Sequence, residues 1–136
     1  MKHTDKLSRE NDKKVVLFYF GLLFGSLGVL SKIVYRPIII NSKINDLGIQ
    51  GFAPNLFEAL SLCLFAAYLT RKNHITTMIF VSCGILAYEI EQIWTSRAFD
   101  YLDIIATIMG LVISILIFNR YAKRKRIVGG TKSREY

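Results

Sequence analysis

Acidic, amide and basic side chains gather near the end of this chain, around the junction of two apolar runs. The segment from Glu89 to Gly110 reads EIEQIWTSRAFDYLDIIATIMG. A charged side chain at the centre of a bilayer costs about 3 kcal/mol on insertion scales, so ionisable residues in membrane segments mark candidate functional sites. The candidates in this segment are Glu89, Gln92, Arg97, Asp100 and Asp103.

The apolar residues that would position these side chains occur in long blocks. Hydrophobic residues make up 52% of the 136 positions. Four blocks, at 15–35, 52–69, 75–94 and 101–118, each approach the ~20 residues that cross a bilayer as a helix. The pattern predicts an all-α membrane protein with one four-helix transmembrane bundle at 15–118, between basic tails at 1–14 and 119–136.

The basic residues predict the orientation of this bundle. Fourteen of the 18 lysines and arginines lie in the two tails and in the loop between the second and third spans, and four lie on the other side. The positive-inside rule therefore predicts that both termini are cytoplasmic. The tails have no aromatic-interleaved patch or recognisable nucleic-acid-binding fold, so attraction to anionic lipid headgroups accounts for their charge and a nucleic-acid partner is not expected.

This topology brings the polar residues of three spans to the outer side. The second span begins there with Asn55 and Glu58, the third ends there, and the fourth begins there. A spacing of three residues gives Glu89 and Gln92 one helix face, and likewise Asp100 and Asp103. We therefore expect the third and fourth spans to meet through these faces, continued on the fourth span by small residues. The small residues are Thr107, Gly110 and Ser114.

The last two spans resemble the VanZ-like membrane proteins. The resemblance rests on Glu89-x-x-Gln92, Arg97, Asp100-x-x-Asp103 and Gly110, about thirty residues in all. Thr107 and Ser114 differ from the usual residues of that pattern, and Asn55 and Glu58 occupy the helix in which the family has D-K-x-x-H. The resemblance implies a multi-pass protein of the bacterial plasma membrane, in a family linked through its founding member to resistance to a glycopeptide antibiotic.

Three functions remain open. The first is binding of a lipid-linked or amphipathic ligand, such as a cell-envelope precursor or a glycopeptide antibiotic, with Arg97 and Arg36 contacting phosphate or carboxylate groups. The second is an enzyme that holds a divalent cation through carboxylates and acts on a lipid phosphate. The third is a small ion or solute carrier. We favour the first and lean against an enzyme. We predict no cofactor and no metal ligand, apart from the divalent cation that the second function would need, and leave catalytic residues unassigned.

Two structural expectations accompany these functions. Glu89, Arg97 and Asp103 could instead form a salt-bridged clasp between the third and fourth spans, without a ligand. The loop at 36–51 is expected to lie along the membrane surface as a partial lid.

Overall fold

A computed structural model describes the backbone of residues 2–42, 46–94 and 100–130, and the side chains of residues 14–42, 46–94 and 100–121. The described residues are helical apart from short turns and carry no strand, which confirms the all-α prediction. The elements are α1 (Lys2–Leu30), a π-helical turn (Ser31–Tyr35), α2 (Arg36–Ser42), α3 (Ile49–Leu69), α4 (His74–Glu91) and α5 (Tyr101–Gly130).

Three helical segments among the described residues are long and apolar enough to cross a membrane. They are Lys14–Ser42, Ile49–Leu69 and Tyr101–Tyr121. These segments correspond to the first, second and fourth predicted spans and agree with a membrane protein. Helix α4 is shorter, with 18 residues, and it carries His74 at its start and two glutamates at its end. Its role as a further span is a proposal to which we return below.

The first helical segment extends beyond the predicted end of its span. Pro37 has no backbone N–H, and its ring clashes with the carbonyl four residues earlier in a regular α-helix. The chain widens just before this proline, and the N–H of Arg36 donates to the carbonyl of Ser31, five residues back. Helix α2 then continues to Ser42. The expected surface lid at 36–51 is therefore helical in its first part, while its residues 43–45 lie outside the described residues.

Asp46 fixes the start of α3 against the π-helical turn. Its carboxylate accepts hydrogen bonds from the backbone N–H of Gly48 and of Gln50, at 3.3 and 2.7 Å. The hydroxyl of Tyr35 donates to the same carboxylate at 3.3 Å. Gly48 has a positive φ of 86°, which glycine adopts without strain. This turn holds the π-helical turn beside the first residues of α3.

Helix α3 lies at the centre of the fold and packs against α1, α4 and α5. Its contact with α1 is close because Gly21, Gly25 and Gly28 share one face of α1. A Cβ added to Gly25 would lie 2.9 Å from the Oγ of Ser61, and that hydroxyl donates to the Gly21 carbonyl at 2.8 Å. Small residues at such crossings let two backbones approach, which is how helices associate in lipid.

Helix α5 makes a similar close contact with α3. A Cβ added to Gly110 would lie 2.7 Å from the Cβ of Ala59 and 3.1 Å from the backbone carbonyl of Leu56. Ser114 is fully buried at this crossing and donates to the carbonyl of Leu60 at 3.4 Å. The expectation that Gly110 and Ser114 face the third span is therefore wrong. They pack against the second span, because α3 is the helix that contacts them.

Replacing Gly110 by alanine should destabilise the fold, because backbone atoms of α3 occupy the space that the new methyl group needs. We expect a loss of about 1–3 kcal/mol in the free energy of unfolding, the usual cost of overpacking. Denaturant titration of the purified protein in detergent would measure it. The control is Gly84→Ala, since nothing lies within 4 Å of a Cβ at Gly84. Equal stability of the two variants would contradict the close crossing of α3 and α5.

Candidate functional site

Glu89 is the most buried acidic side chain in the last turn of α4. Only 7% of its surface is exposed. The amide nitrogen of Gln92 donates to its Oε2 atom at 2.5 Å, so the shared face predicted from their spacing is confirmed. Glu89 also interacts electrostatically with Asp103, Glu58 and Lys32, which come from three other elements. The charge of Lys32 offsets part of the cost of this buried carboxylate, whereas the like charges of Asp103 and Glu58 add to that cost.

Asp103 lies in the first turn of α5. Its carboxylate receives a hydrogen bond from the side chain of Asn55 and interacts with the charges of Asp100 and Arg36. Its Oδ1 atom is buried and has no hydrogen-bond partner among the described residues. The start of α3 lies beside this atom, since a Cβ at Gly51 would be 4.0 Å from it, an ordinary van der Waals contact. The third and fourth predicted spans therefore approach each other through Glu89 and Asp103.

A cavity of about 520 Å³ lies beside Glu89, between the π-helical turn, α3 and α4. Helices α1 and α4 do not contact each other within the described residues, so α3 forms the floor between them. The cavity is lined by Lys32, Asn55, Glu58, Leu62, Val81, Gly84, Ile85, Tyr88 and Glu89. Its volume falls within the range of about 300–1,000 Å³ that is typical of small-molecule sites.

The cavity has a polar end and an apolar end. Lys32, Asn55, Glu58 and Glu89 are at one end, near the start of α3 and the end of α4. Val81 lies eight residues before Glu89, so the apolar wall continues for about 12 Å along α4. Leu62 is 41% exposed, and Gly84 is exposed as well, so this wall is open to the side. The shape suits a molecule with a polar head and an apolar chain.

The structure brings together most of the residues predicted from the sequence. Asn55, Glu58 and Glu89 line the cavity itself. Gln92 does not line the cavity but donates a hydrogen bond to Glu89. Asp100 and Asp103 form an adjacent group that also lies outside the lining. Arg97 lies outside the described residues.

Two further polar residues belong to the site and were not among the sequence candidates. Lys32 was used only to predict the topology, although a lysine inside a predicted apolar span is itself a signal for an intramembrane site. The π-helical turn puts it at the rim of the cavity, opposite Glu58 and Glu89. Tyr88 contributes a phenol from α4. The sequence pattern does not single out Tyr88, and only the packing of α4 on α3 reveals its part in the lining.

The chemistry available here is recognition by mixed charge. The lining carries two carboxylates, one ammonium group, one amide and one phenol, which together donate and accept hydrogen bonds. Within the described part of the chain, no three His, Cys, Asp or Glu side chains are grouped closely enough to hold a metal ion. Cys63 is buried beside the hydroxyl of Ser82 at 3.2 Å, far along α3 from the polar end, and acts as a packing residue there.

No family model, no curated protein and no solved structure matches this chain. The resemblance of the last two predicted spans to the VanZ-like proteins therefore stays a prediction.

Proposed function

We propose that this chain is a VanZ-like, multi-pass protein of the bacterial plasma membrane, which binds a lipid-linked or amphipathic ligand at an outer-leaflet polar cluster. In this proposal α4 is a fourth span, and both termini lie in the cytoplasm. Examples of such a ligand are a cell-envelope precursor and a glycopeptide antibiotic, and a role in antibiotic resistance follows from the second. The observation that carries the proposal is the cavity in which polar side chains converge from three elements beside an open apolar wall.

The surroundings of Glu89 support a ligand site. Among the described residues, the side chain that hydrogen-bonds to it is the neutral amide of Gln92, whereas Arg97, the cation of the expected clasp, lies outside the described residues. The charged neighbours of Glu89 include two further acids, Glu58 and Asp103. Like charges held together cost free energy, and such a cost is commonly retained where the groups serve function.

The alternative of a metal-dependent lipid phosphatase gains no support from the described residues. It required Glu58, Glu89, Asp100 and Asp103 to surround one cation. Glu58 and Glu89 line the cavity, whereas the two aspartates lie beside Gly51 at the start of α3. The carrier alternative gains none either, because the described polar cluster lies at one end of the bundle.

The orientation of the bundle can be tested with a reporter fused after residue 136. Since fourteen of the 18 basic residues lie on the side of the tails, we expect the fusion to be active only as a cytoplasmic reporter. A fusion after residue 97, between the third and fourth predicted spans, should be active only as an external one. The reverse pattern would remove the outer-leaflet assignment of the polar cluster.

Ligand binding can be tested by filling the cavity. Gly84→Leu should fold, because nothing surrounds a Cβ at that position, but its side chain would occupy the apolar end of the cavity. We expect native mass spectrometry to detect an amphiphile bound to the purified wild-type protein and to find it absent from this variant. The matched control is Cys83→Leu, which adds bulk at the neighbouring exposed position outside the cavity lining. Identical spectra for wild type and both variants would refute the proposed function.

The role of Glu89 can be separated from a clasp by changing its charge alone. In Glu89→Gln the amide pair with Gln92 can persist while the buried charge is lost. A ligand site predicts an unfolding free energy equal to or above that of wild type, together with loss of the bound amphiphile. The control is Glu91→Gln, at an exposed position on the same helix. A loss of about 3–5 kcal/mol confined to Glu89→Gln would instead indicate a clasp, since breaking a buried charge pair has that cost.

A further inference from the structure

The charges around the cavity restrict which head group fits there. Glu58 and Glu89 present two carboxylates, and Lys32 presents one ammonium group. An anionic head group alone would meet two like charges and one opposite charge. A head group that carries both a protonated amine and a phosphate would find a partner for each charge, because carboxylates accept from ammonium groups and lysine binds phosphate as a point charge.

The surroundings of the cavity restrict how such a molecule enters. Within the described residues α1 and α4 make no contact, which leaves an opening between them along α3. Leu62, Val81 and Ile85 line this opening beside the exposed backbone of Gly84, so an alkyl chain can lie there without displacing a side chain. In the proposed topology, in which α3 and α4 both span the membrane, this opening faces the lipid of the bilayer. A lipid already in the membrane could therefore enter without leaving the apolar phase.

Resting on the proposed function, we propose that the cavity admits a phospholipid sideways from the bilayer and selects a zwitterionic head group. The primary amine of the head group lies between Glu58 and Glu89, and its phosphate contacts Lys32. Asn55 and Tyr88 lie at the same polar end and supply neutral hydrogen-bonding groups. The acyl chain lies along the apolar wall between Leu62 and Val81. The site distinguishes an amine-bearing lipid from one of similar size without an amine.

The test compares two lipids with identical acyl chains, dioleoyl phosphatidylethanolamine and dioleoyl phosphatidylglycerol. Each is added to the delipidated full-length protein in detergent, and the bound fraction is measured by native mass spectrometry. We expect about ten-fold preference for phosphatidylethanolamine, the effect of one charge-assisted hydrogen bond. Free phosphoethanolamine, which has the head group without the chains, should not displace the lipid at millimolar concentration, because it makes no contact with the apolar wall.

Three substitutions assign the preference to named charges. Glu58→Gln should reduce it to near equality, and this side chain is exposed, so the fold should tolerate the change. Lys32→Gln should weaken retention of both lipids, since both carry phosphate. Glu91→Gln, an exposed acid on α4 outside the lining, should behave as wild type.

The outcomes separate this inference from the proposed function. Equal retention of the two lipids by wild type, with both lost in Gly84→Leu, would overturn the amine assignment and leave amphiphile binding intact. The amine assignment would also be overturned if the preference for phosphatidylethanolamine persisted both in Glu58→Gln and in the double variant Glu58→Gln, Glu89→Gln. Displacement by free phosphoethanolamine would overturn the contribution of the apolar wall. Retention of neither lipid by wild type would overturn the phospholipid inference, whereas the proposed function fails only if the protein purified from cells carries no amphiphile that Gly84→Leu lacks.

Discussion

The close crossing of α3 with its neighbours is the constraint on which the rest of the structure depends. Helices in a lipid environment gain little from burying apolar surface against each other, so van der Waals contact and short polar bonds must hold them together. Gly25 against Ser61 and Gly110 against Ala59 provide such contact on two sides of α3. Because α3 is fixed on both sides, Asn55 and Glu58 are held at one level, facing α4 and α5.

The polar cluster exists only because several elements end or turn at the same level. Helix α4 ends two residues after Glu89, α5 begins two residues before Asp103, and the π-helical turn carries Lys32 beside them. Each of these charges would be costly to bury alone. Lys32 compensates the carboxylates in part, but the carboxylates outnumber it. The Oδ1 atom of Asp103, buried without a described partner, shows that this compensation is incomplete among the described residues. An incomplete network next to a cavity is the physical basis of the proposed ligand site.

The polar cluster is accessible from outside the bundle because one side of α3 is left uncovered between α1 and α4. If α1 packed against α4, the cavity would be closed and Glu58 would be buried. Instead, the contacts of α1 are made mainly with α3, through its glycine face, and α4 lies on another side of the same helix. A polar recess that opens sideways beside an apolar wall differs from a water-filled channel, and the proposal of an amphipathic ligand rests on this arrangement.

The sequence by itself determined the helical class, the apolar segments and the residues of the candidate site that share a helix face. Composition and block length are enough for the first two, and a spacing of three residues is enough to pair Glu89 with Gln92. The tertiary structure decided which helices meet. It put Gly110 and Ser114 against α3, because contacts across helices depend on crossing geometry that no local pattern encodes. The tertiary structure also shows that the first helical segment continues past Tyr35 and that Lys32 lines the cavity. The helix widens before Pro37, and this widening changes the direction of side chains in a way that regular helical spacing does not describe.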